Sequence, residues 1–254
     1  MNEYGSSAGI ARNASESEYP GLWRGLVGLW CPSAGIQGRR LIDFARGTKT
    51  IFVDSTTSAL WVPGRNGHAL SFSGGGYVDA TALFAFGTGD FTISVWVKTS
   101  AATGNLLTEV DGTTGYWSLI FYNSSFIFQN SNTSANLYSV SATSILDNRW
   151  HQITVCRRGT SHSVYFDARS QAAPVTDTND YNRTSTMRMG SGYYGAFTGL
   201  IDDIRIYKRA LSASEIMQSF KGASPLVPLN RPYFNSPTAP PPAGNTTNFF
   251  RFFR

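Results

Sequence analysis

The sequence predicts an all-β sandwich, and three observations carry that reading. Charged residues make up only 15% of the 254-residue chain, while glycine, serine, threonine and aromatic residues are abundant; many short strands and turns require such a composition. Several segments alternate apolar and polar residues with period two, the repeat of a strand packed on one face. Glycine-rich turn signals fall between those segments, and only one stretch near residue 215 reads as helix.

Taken in order, the first clear strand is Phe91–Lys98, where Phe91, Ile93, Val95 and Val97 alternate with Thr92, Ser94, Trp96 and Lys98. One face should be packed and the other more open. His151, Ile153 and Val155 alternate against Trp150, Gln152 and Thr154, and Val164 and Phe166 do so beside Tyr165 and Asp167. His151, in phase with apolar neighbours, reads as a packed and hydrogen-bonded histidine. Turns are expected at Gly74–Gly76, Gly87–Gly89, Asp111–Gly112 and Gly190–Gly192. The last strand runs from Leu200 to Tyr207, with Leu200, Asp202, Ile204 and Ile206 expected on one face and Ile201, Asp203, Arg205 and Tyr207 on the other. That phase puts Asp202 in line with the apolar face, where an ionised carboxylate needs hydrogen bonds, an ion pair or a cation. Backbone N–H groups of a neighbouring loop, a calcium ion, or a catalytic task would each explain it. Ser212-Ala-Ser-Glu215 has the spacing of a capping box and should open a short helix ending near Phe220.

Gly199-Leu-Ile-Asp-Asp-Ile-Arg-Ile-Tyr-Lys-Arg-Ala-Leu-Ser212 resembles the C-terminal strand of laminin-G-like domains of the concanavalin A-like lectin/glucanase superfamily. Gly28-Leu-Trp30 resembles the opening strand, and Gly67–Gly74 followed by Tyr77-Val78 the second hairpin. Phe91–Lys98 and Arg149–Val155 resemble the central strands. The matches bracket roughly Leu22 to Phe220. The resemblance implies a two-sheet antiparallel jelly roll with one short C-terminal helix, and implies no single function. It also suggests a calcium site using Asp202, with Asp43 in an early loop as a second ligand. Against this, the family's Ser-Gly-Asn-Gly-Asn run is replaced by Phe44–Lys49, and its Asp-Gly turn by Asp167-Ala168.

The superfamily's retaining glucanases carry Glu-X-Asp-X-(X)-Glu on one strand face, which sets two carboxylates at the short separation retention needs. Glu109-Val-Asp111 matches the first half, but Gly112-Thr-Thr-Gly115 follows and the second glutamate is missing. Without a proton donor for the leaving group the double displacement fails, so a strand entering an Asp-Gly turn is expected and no catalytic residue is assigned. His68, His151 and His162 have no metal-binding spacing, and no phosphate loop or nucleophile elbow is present. Sugar recognition by aromatic faces remains. Its candidates are Tyr116 and Trp117, in a stretch running to Tyr122 with Tyr138 further on, and Tyr193 and Tyr194, bracketed by Gly192 and Gly195. Cys31 and Cys156 lie in strand-like segments, as buried thiols or a single bridge.

Residues 1–20 form a polar arm, 21–222 the jelly-roll domain and 223–254 a tail. Seven of the eleven prolines lie beyond Gly222, and the last acidic residue is Glu215. Lys221, Arg231, Arg251 and Arg254 therefore supply most of the net charge of +5. The sandwich itself is nearly neutral, which argues against a nucleic-acid partner. The tail ends in Asn248 followed by Phe249, Phe250, Arg251, Phe252, Phe253 and Arg254. Burying each ring would be worth about 2 kcal/mol, so the segment should dock on a surface: a neighbouring subunit, as an assembly contact, is the favoured one, with its own sandwich next and a membrane interface the weakest. No run of about 18 apolar residues marks a membrane span, and the N-terminus does not read as a signal peptide. The expected protein is a non-enzymatic structural or adhesion protein that self-associates within a larger particle such as a phage-like virion, or acts at an extracellular surface. A stand-alone glycan-binding module is the alternative.

Overall fold

The computed structural model describes residues 19–31, 42–45, 48–49, 51–53, 59–65, 67–80, 84–110, 117–130, 135–181 and 186–222. The predicted arms, 1–20 and 223–254, lie outside them apart from Tyr19 and Pro20, as do Tyr116 and the Phe249–Arg254 segment. A helical turn α1 (Pro20–Trp23) leads into β1 (Leu26–Trp30), β2 (Ile42–Asp43), β3 (Thr48–Lys49), β4 (Ile51–Val53), β5 (Ala59–Pro63), β6 (His68–Ser73) and β7 (Val78–Ala80). Next come β8 (Phe91–Lys98), β9 (Gly104–Val110), β10 (Trp117–Tyr122), β11 (Ser125–Asn130) and β12 (Ala135–Ser141). The chain closes with β13 (Trp150–Arg158), β14 (Ser161–Phe166), β15 (Arg169–Ser170), β16 (Val175–Thr176), β17 (Thr186–Met189), β18 (Thr198–Tyr207) and helix α2 (Ala213–Phe220).

Two antiparallel sheets face each other. The larger has the order β15-β14-β13-β8-β18-β1-β2-β3, with β5, β6 and β16 attached beside it. The smaller runs β12-β11-β10-β9-β17-β7-β4. Between them lies one apolar core built from the inward residues of both, including Trp30, Phe91, Ile93, Val95, Val97, Trp117, Phe121, Phe128 and Ile206. The second predicted hairpin is instead a crossover: β6 pairs with β5 and β18, whereas β7 pairs with β17 and β4 in the other sheet. The glycine turn at residues 74–76 moves the chain from one sheet to the other.

Two expectations about faces change. The outer face of β8 is closed rather than open, because α2 and the segment before it pack across it. The Trp96 ring stacks on Phe220 at 5.6 Å, and the Thr92 hydroxyl donates to Arg209 O at 2.9 Å. The phase of β18 also breaks: Asp202 pairs with Trp96 and Arg205 with Ser94, so a bulge inserts one residue between them. Asp203, with φ of 43°, supplies the left-handed backbone the bulge needs; aspartate tolerates that region better than most residues. Ile201, Ile204 and Ile206 therefore reach the core, while Asp202 shares the outer face with Trp96. Sequence alternation alone had placed Asp202 with Ile204 and Ile206; the bulge corrects this.

Beneath α2 the bulge is held by a buried pair. Arg205 donates through Nε to Asp203 Oδ1 at 2.8 Å, through Nη2 to Asp203 Oδ2 at 2.5 Å, and through Nη1 to Ser219 Oγ at 3.2 Å. Burial opposes the guanidinium charge, but Asp203 outweighs it and raises the Arg205 pKa. The predicted capping box is present, with Glu215 N donating to Ser212 Oγ and Ser212 N to Glu215 Oε2. Cys31 and Cys156 are both free and buried.

Candidate functional site

The smaller sheet presents a group of tyrosines at its surface. Gly190–Phe197 leaves β17 and folds back over β9 and β10, and Tyr193 at its tip is 82% exposed. The ring centroid of Tyr193 lies 5.3 Å from that of Tyr194, which lies 5.4 Å from that of Tyr122 on β10, both pairs edge to face. Tyr122 is itself 43% exposed. Beneath the loop, buried Asn105 acts as a clamp. Its Oδ1 accepts Tyr194 N at 2.8 Å, its backbone N donates to Gly195 O at 3.1 Å, and its Nδ2 donates to Thr108 Oγ1 at 3.0 Å. Gly192 must be glycine here, since a Cβ would meet Asn105 Nδ2 at 2.5 Å. Gln129 on β11 donates through Nε2 to Tyr194 Oη at 3.4 Å, while its own Oε1 has no partner among the described residues.

Sequence patterning had singled out Tyr193 and Tyr194, and the structure brings them together at the surface. Trp117 is different: it is a core residue, 1% exposed and packed beside Phe86. The strand alternation of β10 explains the correction, since Trp117, Leu119 and Phe121 turn inward and Tyr122 turns out. Tyr116 lies outside the described residues. Tyr122, the end of the aromatic stretch marked in the sequence, is its exposed member. Asn105 and Gln129 were missed as site residues: no local pattern marks them, and they matter only through the loop folded over them.

The two carboxylates suggested for calcium belong to the larger sheet. Asp43 Oδ1 accepts Leu29 N at 3.0 Å and Ala45 N at 2.9 Å. Asp202 Oδ1 accepts Asp203 N at 2.8 Å, and its Oδ2 accepts Arg65 N at 3.2 Å. Asp43 Oδ1 and both Asp202 oxygens thus face N–H donors, and the Arg65 guanidinium lies 3.7 Å over the adjacent Trp96 ring. Calcium requires six to eight oxygen ligands, and this donor set does not fit it. Among the described residues no group of three or more His, Cys, Asp or Glu could hold a metal. The backbone-acceptor reading of Asp202 is the arrangement seen.

Glu109 pairs with Met187, a core residue, and is wholly buried. It points between the sheets rather than into a cleft. His151 is partly buried, with Nδ1 2.7 Å from Asp167 Oδ2 and Nε2 3.0 Å from Asp147 Oδ1. Burial works against its charge, but the two carboxylates prevail and raise its pKa. His162 is the opposite case: wholly buried, it titrates at about 4 because burial disfavours the imidazolium more than Asp177 favours it.

Among solved structures, domain 4 of AbnA, an extracellular GH43 arabinanase of Geobacillus stearothermophilus seen with arabinotriose, is similar at a TM-score of 0.64 and 15% identity. The match covers 76% of this chain and 97% of that one. The receptor-binding domain of botulinum neurotoxin D gives a TM-score of 0.62 at 15% identity, covering 79% of this chain and 53% of that one. The binding domain of Paraclostridial Mosquitocidal Protein 1 gives 0.58 at 17%, covering 78% and 52%. The chain thus spans about half the length of the two toxin binding domains, and at these identities the likeness is one of fold. A search of curated protein sequences finds no match. Residues 72–217, more than half the chain, match the laminin-G-like model of the concanavalin A-like lectin/glucanases superfamily, and the protein belongs to that family.

Proposed function

We propose that this protein is a non-catalytic recognition module that binds glycans through Tyr122, Tyr193 and Tyr194 and serves adhesion. The observation that carries the reading is the exposure of Tyr193, 82%, on a loop pinned by Asn105. A soluble domain gains nothing for its own fold by holding a tyrosine in water, whereas an aromatic face suits the C–H face of a sugar ring. The similar structures lend support, since they are a domain seen with arabinotriose, the binding domain of a mosquitocidal protein and the receptor-binding domain of a neurotoxin. The inward-facing Glu109 and the missing second glutamate support a role without catalysis. Arrayed glycans probed with the wild-type protein and with Tyr193→Ala test the proposal. Retention by the wild type and its loss in the variant are expected; absence of binding to any glycan would overturn it.

A second reading is favoured by residues 248–254, where four phenylalanines and two arginines follow a stretch without acidic residues. This composition suits contact with identical copies or other proteins of an assembly such as a phage-like virion. Light scattering of the full chain beside a chain ending at Gly222 tests it. A multimer that becomes a monomer on truncation is expected, and two monomers would remove the support.

A further inference from the structure

The tyrosine surface has two properties besides exposure. Tyr194 stands between Tyr193 and Tyr122, with ring centroids 5.3 and 5.4 Å away and ring planes turned by 81° and 63°, so the three rings present differently oriented faces. The surface is also built from chain that carries no charge. Residues 112–146, which include β10, β11 and β12, contain no Asp, Glu, Lys, Arg or His, and neither do residues 189–201, which include the tyrosine loop. Arg188 is on the same face as Thr108 by register, but it is forked onto Asp79 at 2.7 and 2.9 Å and lies 3.7 Å over the Tyr77 ring. An acidic sugar would lose hydration here without gaining an ionic partner from these segments.

We infer that the surface recognises an uncharged oligosaccharide, with one sugar unit against the exposed Tyr193 ring, further units reaching Tyr122, and no calcium in the contact. The inference rests on the glycan reading and narrows it. The Tyr194 hydroxyl accepts from Gln129 Nε2, so its own proton remains to donate to a sugar hydroxyl. Turning the Gln129 amide exchanges donor and acceptor and still leaves one polar end open. The Asn105 clamp holds the loop before ligand arrives, which lowers the ordering cost of binding. The two carboxylates suggested for calcium, Asp43 and Asp202, lie in the other sheet, away from the tyrosines, with backbone donors at Asp43 Oδ1 and both Asp202 oxygens.

Isothermal titration of the full chain with neutral gluco-, xylo- and arabino-oligosaccharides of one to five units tests this, with sialyllactose as the acidic probe, each in calcium and in EDTA. Affinity for at least one neutral series should rise about tenfold or more from one unit to three and then level, since each added stacking contact contributes a fewfold gain. Tyr122→Ala, at an exposed ring, should flatten the gain beyond two units, and EDTA should change nothing. Equal affinity for one and three units, preference for sialyllactose, or loss of binding in EDTA would each overturn this inference while leaving glycan binding in place. Failure of every saccharide here would overturn this inference, and failure of the arrayed glycans as well would overturn the glycan reading.

Discussion

Replacing His162 with leucine should remove the acid-sensitive part of this fold. The imidazole is enclosed by Phe91, Phe128 and Tyr181, with ring centroids 5.8, 5.8 and 5.7 Å away; its Nε2 lies 3.5 Å from Asp177 Oδ2, and neither nitrogen makes a hydrogen bond among the described residues. Its pKa lies at about 4 against an ordinary 6.5, chiefly through burial. Because the folded value is the lower one, the unfolded chain binds more protons between those limits, and stability falls as pH falls from 6.5. At 1.36 kcal/mol per pH unit, linkage gives a loss of about 2 kcal/mol by pH 5 and about 3 kcal/mol by pH 4. Leucine keeps the apolar contacts and forfeits no hydrogen bond of the ring. Urea unfolding of wild type and His162→Leu at pH 7, 6 and 5 should therefore give stability curves that separate toward the acid side, the variant gaining on the wild type by about 2 kcal/mol at pH 5. Parallel stability curves would refute the assignment of the acid loss to this residue.

Three further outcomes are expected. Asp203→Ala leaves the Arg205 guanidinium buried without its partner and should cost about 3–5 kcal/mol in denaturant unfolding, with much of that recovered in Asp203→Ala/Arg205→Met. His151 has a raised pKa, so its contribution is fully present below 6.5 and lost as pH rises through the raised value. The Tm of the wild type should thus exceed that of His151→Gln most in mildly acidic buffer, with the gap closing toward alkaline pH. Gly192→Ala forces the loop off Asn105, and should weaken glycan retention about tenfold or more while changing the Tm little, since a loop shift alone costs positioning more than packing.

The sandwich was legible because its signals are local. Phe91–Lys98 alternates without interruption, and Ser212 to Glu215 spells out its own cap. What escaped was set by contacts distant in sequence. The bulge at Asp203 has no pattern of its own; it appears when β18 must satisfy β8 and also hold Arg205 under Ser219. The crossover after β6 looked like a hairpin because a glycine turn does not reveal which sheet the next strand joins. At the site, Tyr193 and Tyr194 stood out through their bracketing glycines. Trp117 misled because its strand begins where the alternation could be counted in either phase.

The packing of α2 also governs how the domain would carry load. Phe220 rests on Trp96, and Ser219 Oγ takes donors from both Gln152 and Arg205, so the end of the helix is fastened to the middle of the larger sheet rather than to its margin. Tension entering at Gly222 must draw out that ring and break those bonds before any of it reaches the β18 ladder. The helix is in effect a strain relief: a tether pulling from that side would be felt first as helix detachment, leaving the tyrosine surface on the opposite sheet undisturbed.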